Sequence, residues 1–166
     1  MRKGTSGQAT VSVAVPPEEV YDTVSDVTRI PEWSPECAHA RWVGDADGPV
    51  VGAKFVGVNR RGLLRWRTRP RVVAASRPSE FAFVMSFAPF GDLTRWTYEV
   101  EPGEDEGTSL VTERFEMVRD LPRALATVER TLMRVPDREK DLQQNIETSL
   151  ERLREVLEGG GGRDGR

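Results

Sequence analysis

The feature that most constrains this chain is a change of period near residue 119. Upstream, apolar residues recur at alternate positions in short runs. Downstream, Leu142, Ile146, Leu150, Leu153 and Leu157 recur at helical spacing. The first pattern belongs to strands with one buried face, the second to an amphipathic helix. A series of half-buried strands followed by one long amphipathic helix offers the sheet a single main cover. The pattern therefore predicts an α+β domain in which a strongly curved antiparallel sheet wraps one C-terminal helix. With 166 residues the chain can bury one real core.

The strands and turns can be placed in more detail. Val11, Val13 and Val15 alternate with Thr10, Ser12 and Ala14, so 8–15 reads as a strand that Pro16-Pro17 stops. Pro17, Glu18 and Glu19 suit a helix start, and Val20, Val24 and Val27, with Tyr21 beside them, form an apolar stripe that makes 17–25 a helix. Arg29 to Trp33 reads as a second short helical turn, closed by Pro35. Six more strands follow at 37–43, 52–59, 64–75, 80–88, 93–101 and 108–117. Turn residues at 44–49, Arg61-Gly62, Arg77-Ser79 and Glu104-Gly107 separate most of them, which is an antiparallel meander of seven strands in all. Leu121, Leu125, Val128 and Leu132 share one helical face before Pro136 interrupts. Asp137 then caps the long helix of 138–158, and Gly159 ends it. Residues 1–7 and the Gly-rich 159–166 have nothing to bury and are expected to be loose, leaving 8–158 as the domain.

Counts of a few residue types exclude several functions. There are 24 basic and 27 acidic residues, a net charge of −3, which gives no overall attraction to nucleic acid. Cys37 and His39 are the only cysteine and histidine, so no cysteine cluster can bind zinc and no cofactor or metal is called for. No apolar run reaches the roughly 18 residues of a membrane span, and the first residues lack the apolar stretch of a secretory signal. The expectation is a cytoplasmic protein with no stable membrane insertion; oligomeric state is left open.

Several segments are similar to one known group of proteins. These are Trp33-Ser34-Pro35-Glu36-Cys37, the run from Gly52 to Arg60, Arg65-Trp66, Trp96-Thr97-Tyr98-Glu99 and Val111-Thr112-Glu113. With the element order they resemble the helix-grip fold of the START-like, or SRPBCC, superfamily, and within it the polyketide cyclase/dehydrase family, over about residues 8–157. The resemblance implies a hydrophobic cavity between sheet and long helix. Some members cyclise or aromatise polyketides, some bind lipids or hormones, and some act beside chaperones. It also implies that 118–136 lies over the cavity mouth, either as a mobile lid or as a fixed insert.

Strand phase then nominates side chains. On 108–117 the more apolar face carries Val111, Phe115 and Met117, and with them Glu113. A carboxyl so placed is the candidate catalytic acid or base, because burial raises its pKa toward neutrality; the alternative is a Glu paired with an arginine. On 52–59, Phe55, Gly57 and Asn59 face inward, Gly57 marking a bulge and Asn59 either orienting a ligand or capping the hairpin. On 64–75, Arg65, Arg67, Arg69 and Arg71 face out, so Trp66 and Thr68 face in. The arginines either meet an anionic partner or pair with Glu99 and Glu101. Trp33, Phe83, Met85, Trp96, Tyr98 and Ile146 complete the expected ligand-binding set, with Phe115; ordinary core packing is the alternative for each. Cys37 and His39, two apart on one strand, fall on one face as a weak nucleophile–base pair. The leading function is binding of a small hydrophobic molecule, aromatic or polyketide-like, in an interior pocket bordered by Trp66, Phe83, Trp96 and Ile146. The alternatives are a cyclase/aromatase- or dehydratase-type enzyme in the same pocket, and a protein-interaction module using the arginine face.

Overall fold

A computed structural model describes residues 1–87, 89–131 and 134–160. Eight strands appear: β1 (Ser6–Val13), β2 (Cys37–Val43), β3 (Lys54–Arg61), β4 (Leu64–Thr68), β5 (Arg71–Ser76), β6 (Glu80–Phe87), β7 (Gly91–Pro102) and β8 (Ser109–Met117). Helix α1 (Pro17–Ser25) and a 3-10 helix (Val27–Glu32) follow β1. Helices α2 (Arg123–Thr131) and α3 (Arg138–Gly160) follow β8. All strands pair antiparallel in one sheet of order β1-β8-β7-β6-β5-β3-β2, with β4 paired to β3. The sheet curls into a half-barrel around α3, which is the helix-grip architecture the sequence predicts.

The expected strand over 64–75 is two strands, because Pro70 has no backbone N–H to extend a ladder. Its carbonyl instead accepts from the Phe55 amide at 3.1 Å, and β3 hands its pairing from β4 to β5 at Lys54–Arg71. The inward phase survives the break, with Thr68, Pro70 and Val72 all buried. Gly57 does not mark a bulge, since β3 keeps register through it. A Cβ there would stand 2.9 Å from Thr68 Oγ1, so the glycine makes room for that side chain.

The chain ends also depart from expectation. Strand β1 begins at Ser6, and residues before it are held: the Gly4 amide donates to the Met117 carbonyl at 2.8 Å and the Lys3 amide to Asp120 Oδ1 at 2.7 Å. At the other end Gly159 and Gly160 are the last residues of α3. The rest of the expected loose tail, 161–166, lies outside the described residues, as do Ala88 and Leu132.

One stripe of α3 closes the core. Leu142, Ile146, Leu150, Leu153 and Leu157 are all buried, and Asp137 Oδ1 accepts from the Lys140 amide at 3.1 Å to cap the helix. Outside the sheet, Glu99 pairs with Arg114, Glu80 with Arg95 and Asp92 with Arg71. These pairs lie on β5 to β8. Arg65 and Arg67 of β4 are on the far side of the sheet order and form no pair with Glu99 or Glu101; among the described residues the arginine row meets that strand only through Arg71, at Asp92.

Two substitutions test this packing. Leu150→Asp places a charge in the buried stripe, and we expect it to unfold the protein through a loss of several kcal/mol. Arg67→Glu changes an exposed side chain and should alter stability by less than about 0.5 kcal/mol. Denaturant melts of both variants give the comparison; equal effects would mean the faces have been assigned wrongly.

Candidate functional site

Two adjoining cavities lie between the concave sheet face and the helices. The inner one encloses about 100 Å³ and the outer one about 210 Å³. They share a wall made by Glu36, Asn59, Met85, Trp96 and Leu142. The inner chamber is built from alternate residues of successive strands: Phe55 and Asn59 of β3, Thr68 of β4, Phe83 of β6, Trp96 and Tyr98 of β7, and Glu113 of β8. The outer chamber adds Leu64 and Trp66 of β4 and is roofed by Leu121, Leu125 and Val128. Helix α2 thus lies over the cavity, where the resemblance puts the 118–136 segment.

Glu113 is the chemically distinctive side chain. It is only 4% exposed, and no cation among the described residues faces it. The antiparallel register sets Tyr98 directly opposite. The Tyr98 hydroxyl donates to Glu113 Oε1 at 3.0 Å, and Trp33 Nε1–H donates to the same hydroxyl at 3.2 Å. The three groups form a buried chain from the 3-10 helix through β7 to β8. Oε2 has no hydrogen-bond partner among the described residues. The Ser149 hydroxyl on α3 is close enough to favour the charged form, without hydrogen-bond geometry to Oε2.

Burial dominates the ionisation of this group. It pushes the Glu113 carboxyl up to about 7, against the smaller opposing effects of Ser149 and Tyr98. The expected alternative, an arginine partner and a lowered pKa, is not what surrounds Glu113. Tyr98 is raised well above its usual range, by burial first and then by the Glu113 charge. It is a proton donor to the carboxylate throughout the neutral range.

A second polar cluster stands at the chamber mouth and is fully paired. Arg138 spans both Glu36 oxygens at 2.9 and 3.0 Å, and Arg61 reaches Glu36 Oε1 at 3.0 Å and Asp141 at 2.5 Å. Burial pushes the Asp141 carboxyl up, but Arg61 and Arg138 together outweigh it and hold it below the usual range. The cluster joins the loop before β2, the β3–β4 hairpin and the first turn of α3. It fixes the mouth with paired charges, whereas Glu113 inside has no counter-ion among the described residues.

The expected ligand-binding residues divide into two groups. Phe55, Asn59, Thr68, Phe83, Met85, Trp96 and Tyr98 line the inner chamber, and Trp66 lines the outer. Asn59 is buried and donates to Thr68 Oγ1 at 3.3 Å, so it faces the cavity and does not cap the hairpin. Trp33, Phe115 and Ile146 are fully buried in the core and border neither chamber. Trp33 contributes only through its hydrogen bond to Tyr98, Phe115 packs on Trp96 with ring centroids 6.0 Å apart, and Ile146 meets the sheet. Cys37 and His39 do not form a pair: a bulge between them turns Cys37 to the inner chamber and leaves His39 exposed. Burial pushes the Cys37 thiol up to about 11, the opposite of an activated nucleophile. Asn145 and Ser149, one turn apart on α3, also line the chamber and were not anticipated. Their signal was present as two small polar residues flanking Ile146 on the inner side of the helix.

A family model described as "Polyketide cyclase / dehydrase and lipid transport" matches residues 5–158. The chain belongs to that family. Among curated relatives, the granaticin polyketide synthase bifunctional cyclase/dehydratase of Streptomyces violaceoruber is 31% identical over 132 residues. That match covers 78% of this chain and 40% of the relative, so the chain spans less than half of that protein's length. Among solved structures, a polyketide cyclase-like protein of Corynebacterium glutamicum superposes with a TM-score of 0.57 at 25% identity, covering 100% of both chains. A START superfamily protein of Mycobacterium smegmatis gives 0.64 at 18% identity, covering 95% of this chain and 97% of that one. The latter likeness shows the fold alone. Family and fold together suggest a ligand-binding or polyketide cyclase-like role. No helix among the described residues is long and apolar enough to cross a membrane.

The Glu113 environment makes a signed prediction about stability. The unfolded chain releases this proton in the ordinary carboxyl range, and the folded chain at about 7. Between those values the folded state holds more protons, so stability falls as pH rises, then levels off above pH 7. The loss is expected to be up to roughly 3 kcal/mol. Glu113→Gln removes the titrating group, so its stability should lack this component. Denaturant melts of both proteins at pH 5 and pH 8 measure the difference; an identical pH slope in the two would refute the assignment.

Proposed function

We propose that the chain binds a small, largely apolar, ring-bearing molecule whose oxygen substituents meet Glu113 and Trp96. The observation that carries this reading is the unpartnered Glu113 Oε2 in a largely apolar chamber. A buried polar atom without a partner costs about 1–3 kcal/mol, and a ligand hydroxyl returns the missing hydrogen bond. Trp96 Nε1–H is a second buried group without a partner. A ligand oxygen supplies its acceptor. Phe55, Phe83 and Met85 offer the apolar and aromatic surface that rings pack against. Size requires both chambers: the inner one, at about 100 Å³, is smaller than the roughly 150 Å³ cavity that takes benzene, so a ring must share the adjoining space of about 210 Å³. A molecule of more than one ring extends into the outer chamber beneath α2.

A specific observation favours a second, catalytic reading of the same pocket. A carboxyl with a pKa of about 7 can both take and return a proton near neutrality, as cyclisation with loss of water requires. Tyr98, held by Trp33, would steady Oε1 while Oε2 exchanged the proton. The bifunctional cyclase/dehydratase relative supports this reading for the aligned region.

Naphthol and naphthalene, two fused rings with and without a hydroxyl, separate the polar match from bulk hydrophobicity. Naphthol is expected to bind roughly tenfold more tightly, and Glu113→Leu to abolish the preference. Equal affinities for the wild-type protein would overturn the binding proposal. Native mass spectrometry of protein purified from its own host then identifies the natural ligand. Turnover of that ligand lost in Glu113→Gln, with binding kept, selects the enzyme; unchanged handling selects the binder.

A further inference from the structure

The β3–β4 hairpin presents an apolar tip inside a collar of unpaired cations. Leu63 is fully exposed, the most exposed large apolar side chain among the described residues. Gly62 beside it has positive φ, and a Cβ built there would meet nothing within 4 Å, so the turn projects freely. Arg60, Arg65 and Arg67 alternate with inward residues and are exposed on the outer face. None of the three guanidinium groups has an ion pair or hydrogen bond among the described residues, whereas those of Arg61, Arg71 and Arg77 are each paired. Between Asp47 and Glu80 the sequence contains no acidic residue, in a chain whose net charge is −3.

The arrangement costs stability within the fold. Arg60 and Arg65 are direct cross-strand partners, and like charges directly opposite repel. An exposed leucine at a turn buries nothing. Both features become favourable against one kind of surface, in which anionic groups lie above an apolar layer. An acidic polypeptide satisfies the arginines but provides no site for a projecting leucine on a smooth, convex tip. A bilayer supplies both, with phosphates for the collar and acyl chains for Leu63.

We infer that this hairpin docks the protein reversibly on an anionic lipid bilayer. The inward residues of the same strand, Leu64 and Trp66, line the outer chamber. Docking therefore sets the wall of that chamber beside the lipid, from which an apolar molecule is drawn without crossing water. This is peripheral attachment through a turn, distinct from insertion of a helix.

Co-sedimentation with vesicles tests it. The whole protein is expected to pellet with phosphatidylcholine vesicles containing about 30 mol% phosphatidylglycerol, to release in high salt, and to ignore pure phosphatidylcholine. Changing Arg60, Arg65 and Arg67 together to Gln should weaken binding roughly a hundredfold. Leu63→Ser should weaken it roughly tenfold with every charge retained. Circular dichroism melts check that both variants stay folded. Absence of binding to the anionic vesicles would overturn the proposal. So would indifference to Leu63→Ser, and so would binding to polyglutamate as tight as to vesicles, which would mark the face as a site for acidic polypeptides.

Discussion

The structure depends on one helix having to cover a sheet much wider than itself. A helix with its side chains is roughly 10–12 Å across, and strands lie about 4.8 Å apart, so α3 can seal only a few of them. It settles chiefly on β1, against which it makes most of its contacts, with β8 next to it. The concave face of β3, β4, β6 and β7 remains to be filled from elsewhere. Helix α1 and the 3-10 helix close one end, and aromatic side chains such as Phe81 and Phe83 fill part of the remainder. What is left is the pair of chambers. The cavity is thus a consequence of architecture, and its lining is set by the strands that α3 does not reach.

Chemistry in that cavity follows from how differently two sets of charges are treated. At the mouth, Glu36 and Asp141 are each matched by arginines, which hold the Asp141 carboxyl below its usual range. Inside, Glu113 receives only hydroxyl neighbours, and burial outweighs them. A lone buried carboxyl is destabilising unless it is protonated. Its persistence beside Tyr98 and an apolar void makes sense if a bound molecule completes its hydrogen bonding. The paired mouth keeps the hairpin and the start of α3 fixed relative to β2, so that the interior geometry is held by charges that have their own partners.

Legibility in the sequence followed whether a property was periodic. Helix α1, the α3 stripe and the inward phase of β8, including Glu113, repeat regularly enough to be read directly. The division at Pro70 was signalled by a residue whose lack of an N–H interrupts any ladder. Two features carried no periodic signal. The bulge between Cys37 and His39 separates side chains that simple alternation puts together. An inward phase also cannot distinguish a residue that packs from one that borders empty space. Ile146 on α3 and Phe115 on β8 point inward and are core, while Trp96 and Phe83 point inward and line the chambers. That distinction requires knowing where the helix sits. The arginine row was read correctly as outward, but its partners depend on strand order, which alternation does not encode.

The central claim is that Glu113 is a carboxyl held without a counter-ion inside an apolar chamber. Its side-chain carboxyl carbon, followed by NMR across a pH titration of the ligand-free protein, reports this directly. The account predicts a midpoint near pH 7. A midpoint at or below the ordinary glutamate value of about 4.3 would contradict it, because it would mean that the carboxylate is solvated or paired with a cation.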